Sequence, residues 1–103
     1  MAKYKAEKIS YKDQDRLMDM FCSVLASFKT KEIVKDFLKD LLNRQERIML
    51  IRRLLIAEMI EEGRTYREII KKLSCGSPTI ARVERWLNFG RMGYKHAISA
   101  KKK

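Results

Sequence analysis

Apolar residues recur along this chain at the three-and-four spacing of α-helices, in blocks separated by short polar breaks. From Asp13, the set Leu17, Met20/Phe21, Val24, Leu25 and Phe28 forms a broad stripe and predicts a helix over residues 13–28. Lys29 and Thr30 interrupt it. Thr30 can cap a second helix over 31–42, whose apolar set is Ile33, Val34, Phe37, Leu38, Leu41 and Leu42. Its opposite face, of Asp and Lys, reads as solvated. Asn43 with Glu46 three positions on is a capping box, in which each side chain satisfies an orphan N–H of the helix start, and it opens a third helix over 44–62. Gly63 fits the position just past that helix end.

The third helix differs from the others. Ten of the thirteen residues from Ile48 to Ile60 are apolar, so the helix is apolar nearly all round and has to be buried on most sides. A chain of 103 residues has difficulty surrounding one helix completely. A second copy of the chain is the simplest cover, and the pattern predicts a homodimer with the first three helices intertwined.

Residues 65–88 carry a further motif. Thr65 and Glu68 form a second capping box, followed by Tyr66, Ile69, Ile70 and Leu73 as an apolar stripe. Ser74, Cys75 and Gly76 break the pattern, and Gly76 is free to take the positive φ of a sharp turn. Ser77 can cap the next helix and Pro78 suits its first turn, while Ile80, Val83 and Leu87 continue an inward face. Helix, tight turn with glycine, helix is the helix-turn-helix pattern. An ordinary helical hairpin would give the same periodicity. After Leu87 the segment FGRMGYKHAI has two glycines and no clear period. Phe89, Met92 and Tyr94 are expected to pack against the helices, of the same copy or across the dimer. Residues 13–98 thus read as one all-α domain, preceded by a flexible basic arm (1–12) and followed by a lysine-rich tail (99–103).

Charge separates the readings of the motif. The formal net charge is +11, which points to an acidic partner, nucleic acid before anionic membrane. Residues 1–62 hold 13 Lys/Arg against 11 Asp/Glu, a net of +2; residues 63–103 hold 11 Lys/Arg against Glu68 and Glu84 alone, a net of +9. The excess sits on and after the helix-turn-helix. Ordinary solvated helices mix both signs, so a face this poor in acids favours nucleic acid. In a DNA-reading head the second helix enters the major groove by its N-terminal end. That places Ser77, Pro78 and Thr79 at the tip and Arg82 and Arg85 behind them, with Arg67, Lys71 and Lys72 of the first helix on the backbone. The alternative is a dimeric helical module that offers the same basic face to an acidic protein or an RNA.

Other chemistry finds little support. Cys22 and Cys75 form no C-x-x-C pair and have only His96 as an imidazole companion, so they read as reduced thiols rather than zinc ligands. His96 stands alone, and Asp13, Asp15 and Asp19 sit where a helix starts, so that the dipole, which favours acids there, accounts for at least the first two. No glycine-rich phosphate loop is present. The first ten residues lack a signal-type apolar stretch, and Arg52, Arg53 and Glu58 interrupt the longest apolar run. The expectation is a cytoplasmic, non-enzymatic DNA-binding protein with no metal, no cofactor and no membrane partner.

The run LLNRQERIMLIRRLLIAEMIEEGRTYREIIKKLSCGSPTIARVERWLNFGRMGY resembles the tryptophan-repressor superfamily, and within it the YerC/YecD branch. The capped helix ending before Gly63, the segment TYREI and the turn into TIARV carry the likeness. The resemblance implies an intertwined all-α homodimer whose helix-turn-helix units bind operator duplex DNA as a transcriptional regulator or repressor. In the tryptophan repressor, L-tryptophan is a corepressor that sets the reading heads. Arg53 and Arg82 align with the two arginines flanking that ligand and are the candidate effector residues. Ion pairing of Arg53 with Glu58, Glu61 or Glu62 is an equally open role. Val83 stands where the repressor has a glycine against the indole, so L-tryptophan is not expected to bind in the repressor's manner. Arg67 and Thr79 match DNA-facing positions. Ile70 replaces a lysine there, beside Lys71, and Ser77 and Pro78 replace an apolar pair, so the operator sequence does not carry over.

Overall fold

The structure, a computed structural model, describes residues 6–102; residues 1–5 of the expected arm and Lys103 of the expected tail lie outside the described residues. Among the described residues there are six α-helices, one short 3-10 helix and no strand. None of these helices is long and apolar enough to cross a membrane. The chain divides into two compact units, residues 1–41 and 42–103.

The first unit holds the 3-10 turn Ala6–Lys8, α1 (Tyr11–Ser27) and α2 (Lys31–Leu41). Helix α1 starts two residues before the expected Asp13, because Ser10 caps it by accepting the Asp13 N–H at 3.2 Å. The ordered chain therefore reaches into the segment read as a loose arm. Thr30 caps α2 as expected, accepting from the Ile33 N–H at 3.2 Å. The Phe37 ring lies 6.1 Å from Phe21 and 5.3 Å, edge-on, from Phe28, so aromatic contacts join the two helices. Two helices cannot enclose a core, and no residue of either is buried. Leu17, Met18, Met20, Val24, Ile33 and Leu41 remain exposed.

The second unit is built on α3 (Arg44–Glu61), against which α4 (Tyr66–Leu73), α5 (Ser77–Phe89) and α6 (Gly93–Lys101) pack. The Asn43–Glu46 capping box forms with both bonds at 2.9 Å, a motif that stabilises a helix start by about 1 kcal/mol. At the other end Gly63 takes φ +82°. Its N–H bonds to the Ile60 carbonyl and the Arg64 N–H to that of Met59, which together make a Schellman stop. Ile56, Ala57 and Met59 of α3 form one core with Ile69, Cys75, Ile80, Val83, Leu87 and Ile98. Each fully buried isoleucine contributes roughly 1.5–3 kcal/mol by leaving water. Only the C-terminal half of α3 is buried in this way; Ile48, Met49, Leu50 and Ile51 are exposed.

Helix α6 was not expected and takes up much of the segment read as patternless and as tail. Ile98 enters the core, while Lys95 and Lys101 pair with Glu61 at 2.6 Å and Glu58 at 2.8 Å, tying α6 to α3. Tyr94 packs on the core as expected, but Phe89 and Met92 are 82% and 54% exposed in the single chain. They lie at the end of α5 and in the turn after it, beyond the last buried residue of that helix, Leu87.

Candidate nucleic-acid interface

Helices α4 and α5, separated by Ser74, Cys75 and Gly76, form the helix-turn-helix. The Thr65–Glu68 capping box starts α4: the Thr65 N–H donates to Glu68 Oε1 at 3.0 Å, and the Glu68 N–H to Thr65 Oγ1 at 3.2 Å. These bonds from Thr65, helped by the Arg64 guanidinium, hold the Glu68 carboxyl below the usual glutamate range. The turn differs from expectation at two positions. Ser74, not Gly76, takes the left-handed conformation (φ 52°, ψ 45°). Gly76 is extended and is itself the N-cap of α5, its carbonyl accepting from Thr79 and Ile80. Ser77 is therefore the first helical residue rather than the cap, and α5 has no side-chain cap at all. Cys75 turns inward and is buried.

Burial sorts the two helices into faces. On α5, Ile80, Val83 and Leu87 are buried, and Ser77, Pro78, Thr79, Arg82, Arg85 and Trp86 are exposed. At 100° per residue Pro78, Arg82 and Arg85 centre the outward stripe, opposite Leu87. On α4, Ile69 is buried, and Arg67 and Lys71, one turn apart, are exposed on the other side. Ile70, expected in the inward stripe, is at the edge and 38% exposed.

The charges on this head are unevenly engaged. Among the described residues Arg67, Lys71, Lys72, Arg82 and Arg85 make no ion pair. Both carboxylates are used internally: Glu68 in the capping box, and Glu84 as acceptor of a 2.7 Å hydrogen bond from the Tyr66 hydroxyl. That bond, with some burial and the Glu84 charge, raises the Tyr66 phenol above its ordinary value. The face is left with free cations and no free acid, the electrostatic form a polyanion requires.

Arg53 and Arg82, far apart in sequence, line one cavity of about 280 Å³ between α3 and the turn. Val83 lines it too, its side chain almost wholly buried. Glu58, Glu61 and Glu62, the alternative partners of Arg53, are engaged by Lys101, Lys95 and Arg64. Sequence reasoning missed Arg52, Met49 and Cys75 on the same wall. The adjacent Arg52–Arg53 interruption of an apolar helix was the one signal for them. The Tyr66–Glu84 bond was also missed, because no local spacing announces a contact eighteen residues apart.

An all-helical chain bearing a cation-faced helix-turn-helix defines a class, the helix-turn-helix proteins of the nucleic-acid-binding kind. The chain belongs to the Trp repressor family: the model of the Trp repressor protein matches residues 16–102. It is 37% identical over 92 residues to the uncharacterised protein YerC of Bacillus subtilis (strain 168), covering 89% of this chain and 85% of that one. The crystal structure of a TrpR-like protein from Eubacterium eligens ATCC 27750 superposes with a TM-score of 0.78 at 30% identity, covering 84% of this chain and 90% of the other. A candidate Trp repressor from Staphylococcus aureus gives 0.73 at 28% identity, over 97% and 96%. The fold is thus Trp-repressor-like, as the sequence resemblance implied, and a helix-turn-helix dimer is consistent with the family. The family is one of DNA-binding regulators rather than enzymes.

Proposed function

We propose that the chain is a homodimeric, cytoplasmic transcriptional regulator that reads duplex DNA in a sequence-specific manner, with α5 in the major groove. One observation carries this reading: the outward face of α4–α5 holds Arg67, Lys71, Arg82 and Arg85 without ion pairs, while both acids of the motif are bound internally. In this reading Ser77, Pro78 and Thr79 meet the groove first, Arg82 and Arg85 reach base edges or phosphates, and Arg67 and Lys71 hold the backbone. The exposed apolar residues of α1, α2 and the first half of α3 are covered by the second copy in an intertwined dimer. Arg53 and Arg82 form the effector site, with Val83 against the ligand and L-tryptophan excluded in the repressor's pose. Titration calorimetry should show no tight, stoichiometric binding of L-tryptophan.

Selection of bound duplexes from a random pool tests the main claim. The expected product is a motif of two half-sites about one DNA turn apart, as a symmetric dimer with two heads requires. Salt-sensitive binding without any enriched motif would leave only nonspecific attachment and defeat the sequence-specific reading.

A further inference from the structure

The two helices of the reading head are held together mainly by apolar side chains, Ile69 of α4 with Ile80 and Val83 of α5. Such burial is non-directional: it favours contact without fixing the rotation of one helix upon the other. A hydrogen bond does fix direction. Among the described residues one side-chain hydrogen bond joins α4 to α5, from Tyr66 Oη to Glu84 Oε1 at 2.7 Å, partly buried. Its length and charged acceptor place it among the stronger hydrogen bonds of proteins. Helix α5 has no side-chain cap to locate its start, and its other neighbours, α3 and α6, meet it through the same apolar core. Glu84 also lies one turn beyond Ile80 and on the inward side of α5, away from the stripe centred on Arg82 and Arg85.

We propose that Tyr66 and Glu84 are positioning residues for sequence discrimination. Their hydrogen bond sets the rotation of α5 on α4, and with it the angle at which Thr79, Arg82 and Arg85 are presented to base edges. The inference rests on the reading that this head binds duplex DNA. It assigns the pair no role in gripping phosphates, which the free cations perform.

Tyr66→Phe removes one oxygen and leaves the packing intact. Competition binding on the selected duplex and a scrambled one should show the specific-to-nonspecific ratio falling roughly five- to tenfold, the lower end of the cost of one misplaced base contact. Nonspecific affinity and its salt slope stay as in the parent. Glu84→Ala gives the same loss, the double variant is no worse than either single one, and Glu84→Gln, which keeps an acceptor, retains most of the discrimination. An unchanged ratio in Tyr66→Phe overturns the proposal, even if the variant melts earlier, since a merely structural bond would do that. Equal gains in affinity for Glu84→Gln and Glu84→Ala overturn it too, since Glu84 would then act only as a charge. If the parent protein itself shows no discrimination, the functional reading fails separately. The clamp is then judged on the free protein by amide exchange along α5, where faster exchange in Tyr66→Phe sustains it and unchanged exchange ends it.

Discussion

Ser74 holds φ at 52° and ψ at 45°, a conformation that costs a residue with a Cβ roughly 1–2 kcal/mol and glycine almost nothing. Glycine in turn loses more freedom on folding, so Ser74→Gly should be stabilising by a net of about 0.5–1 kcal/mol, read as a raised Tm. Gly90 behaves in the opposite way. A Cβ there would lie inside contact distance of the Trp86 carbonyl, the acceptor of the Gly90 N–H that closes α5. Gly90→Ala should destabilise by roughly 1–3 kcal/mol, since a backbone atom cannot give way as a flexible side chain would. Glu68 makes the fold sensitive to acid. Its folded pKa is depressed by Thr65 and Arg64, so its contribution is complete above the ordinary glutamate value and is lost as pH falls through the lowered one. Glu68→Gln keeps an acceptor but cannot titrate. Thermal melts across the acid range should show the parent losing its advantage over that variant as pH drops.

At the level of elements, Arg67 and Arg85 sit on different helices of the head, both exposed and both without an ion pair. If each neutralises one phosphate in each of the dimer's two heads, Arg67→Ala/Arg85→Ala should lower the log–log salt slope of duplex binding by about 4 and leave the fold unchanged. A folded double variant that binds duplex as the parent does would remove these arginines from the interface. Such elements were legible where the signal is local. The Asn43–Glu46 and Thr65–Glu68 boxes stand out because cap and partner are three residues apart, and both formed as read. Gly63 was legible for the same reason. Helix α6 was not: it begins at Gly93 after a left-handed Met92, has no side-chain cap, and places only Tyr94 and Ile98 on the core. The turn was recognised but misassigned inside, because a glycine that could take positive φ is not obliged to when Ser74 has already made the bend. Tertiary meetings such as Arg52, Arg53, Cys75 and Arg82 around one cavity depend on how α3 lies under the turn, and no spacing along the chain encodes that.

For the whole molecule the governing quantity is the apolar surface that a single chain leaves in water. Ile48, Met49, Leu50 and Ile51 are consecutive, and at 100° per residue four consecutive positions point to all sides of α3. No single neighbouring helix of the same copy can cover them. Neither α1 nor α2 buries a residue, so the same holds for the first unit. Scattered exposed apolar residues are ordinary, but a helix exposed on every side in this way marks an interface. Ile51 is 58% exposed in the lone chain, so Ile51→Asp in a true monomer would be a surface change of about 0.5 kcal/mol or less. In an intertwined dimer the same change places a carboxylate in an apolar interface, at a cost of several kcal/mol. Sedimentation at micromolar concentration should therefore find the parent dimeric and Ile51→Asp monomeric or unfolded. Duplex affinity should fall far more than one added negative charge accounts for, because one head then binds where two did. A parent protein that sediments as a stable, well-folded monomer under these conditions would sink the dimer, and with it the expectation of paired half-sites.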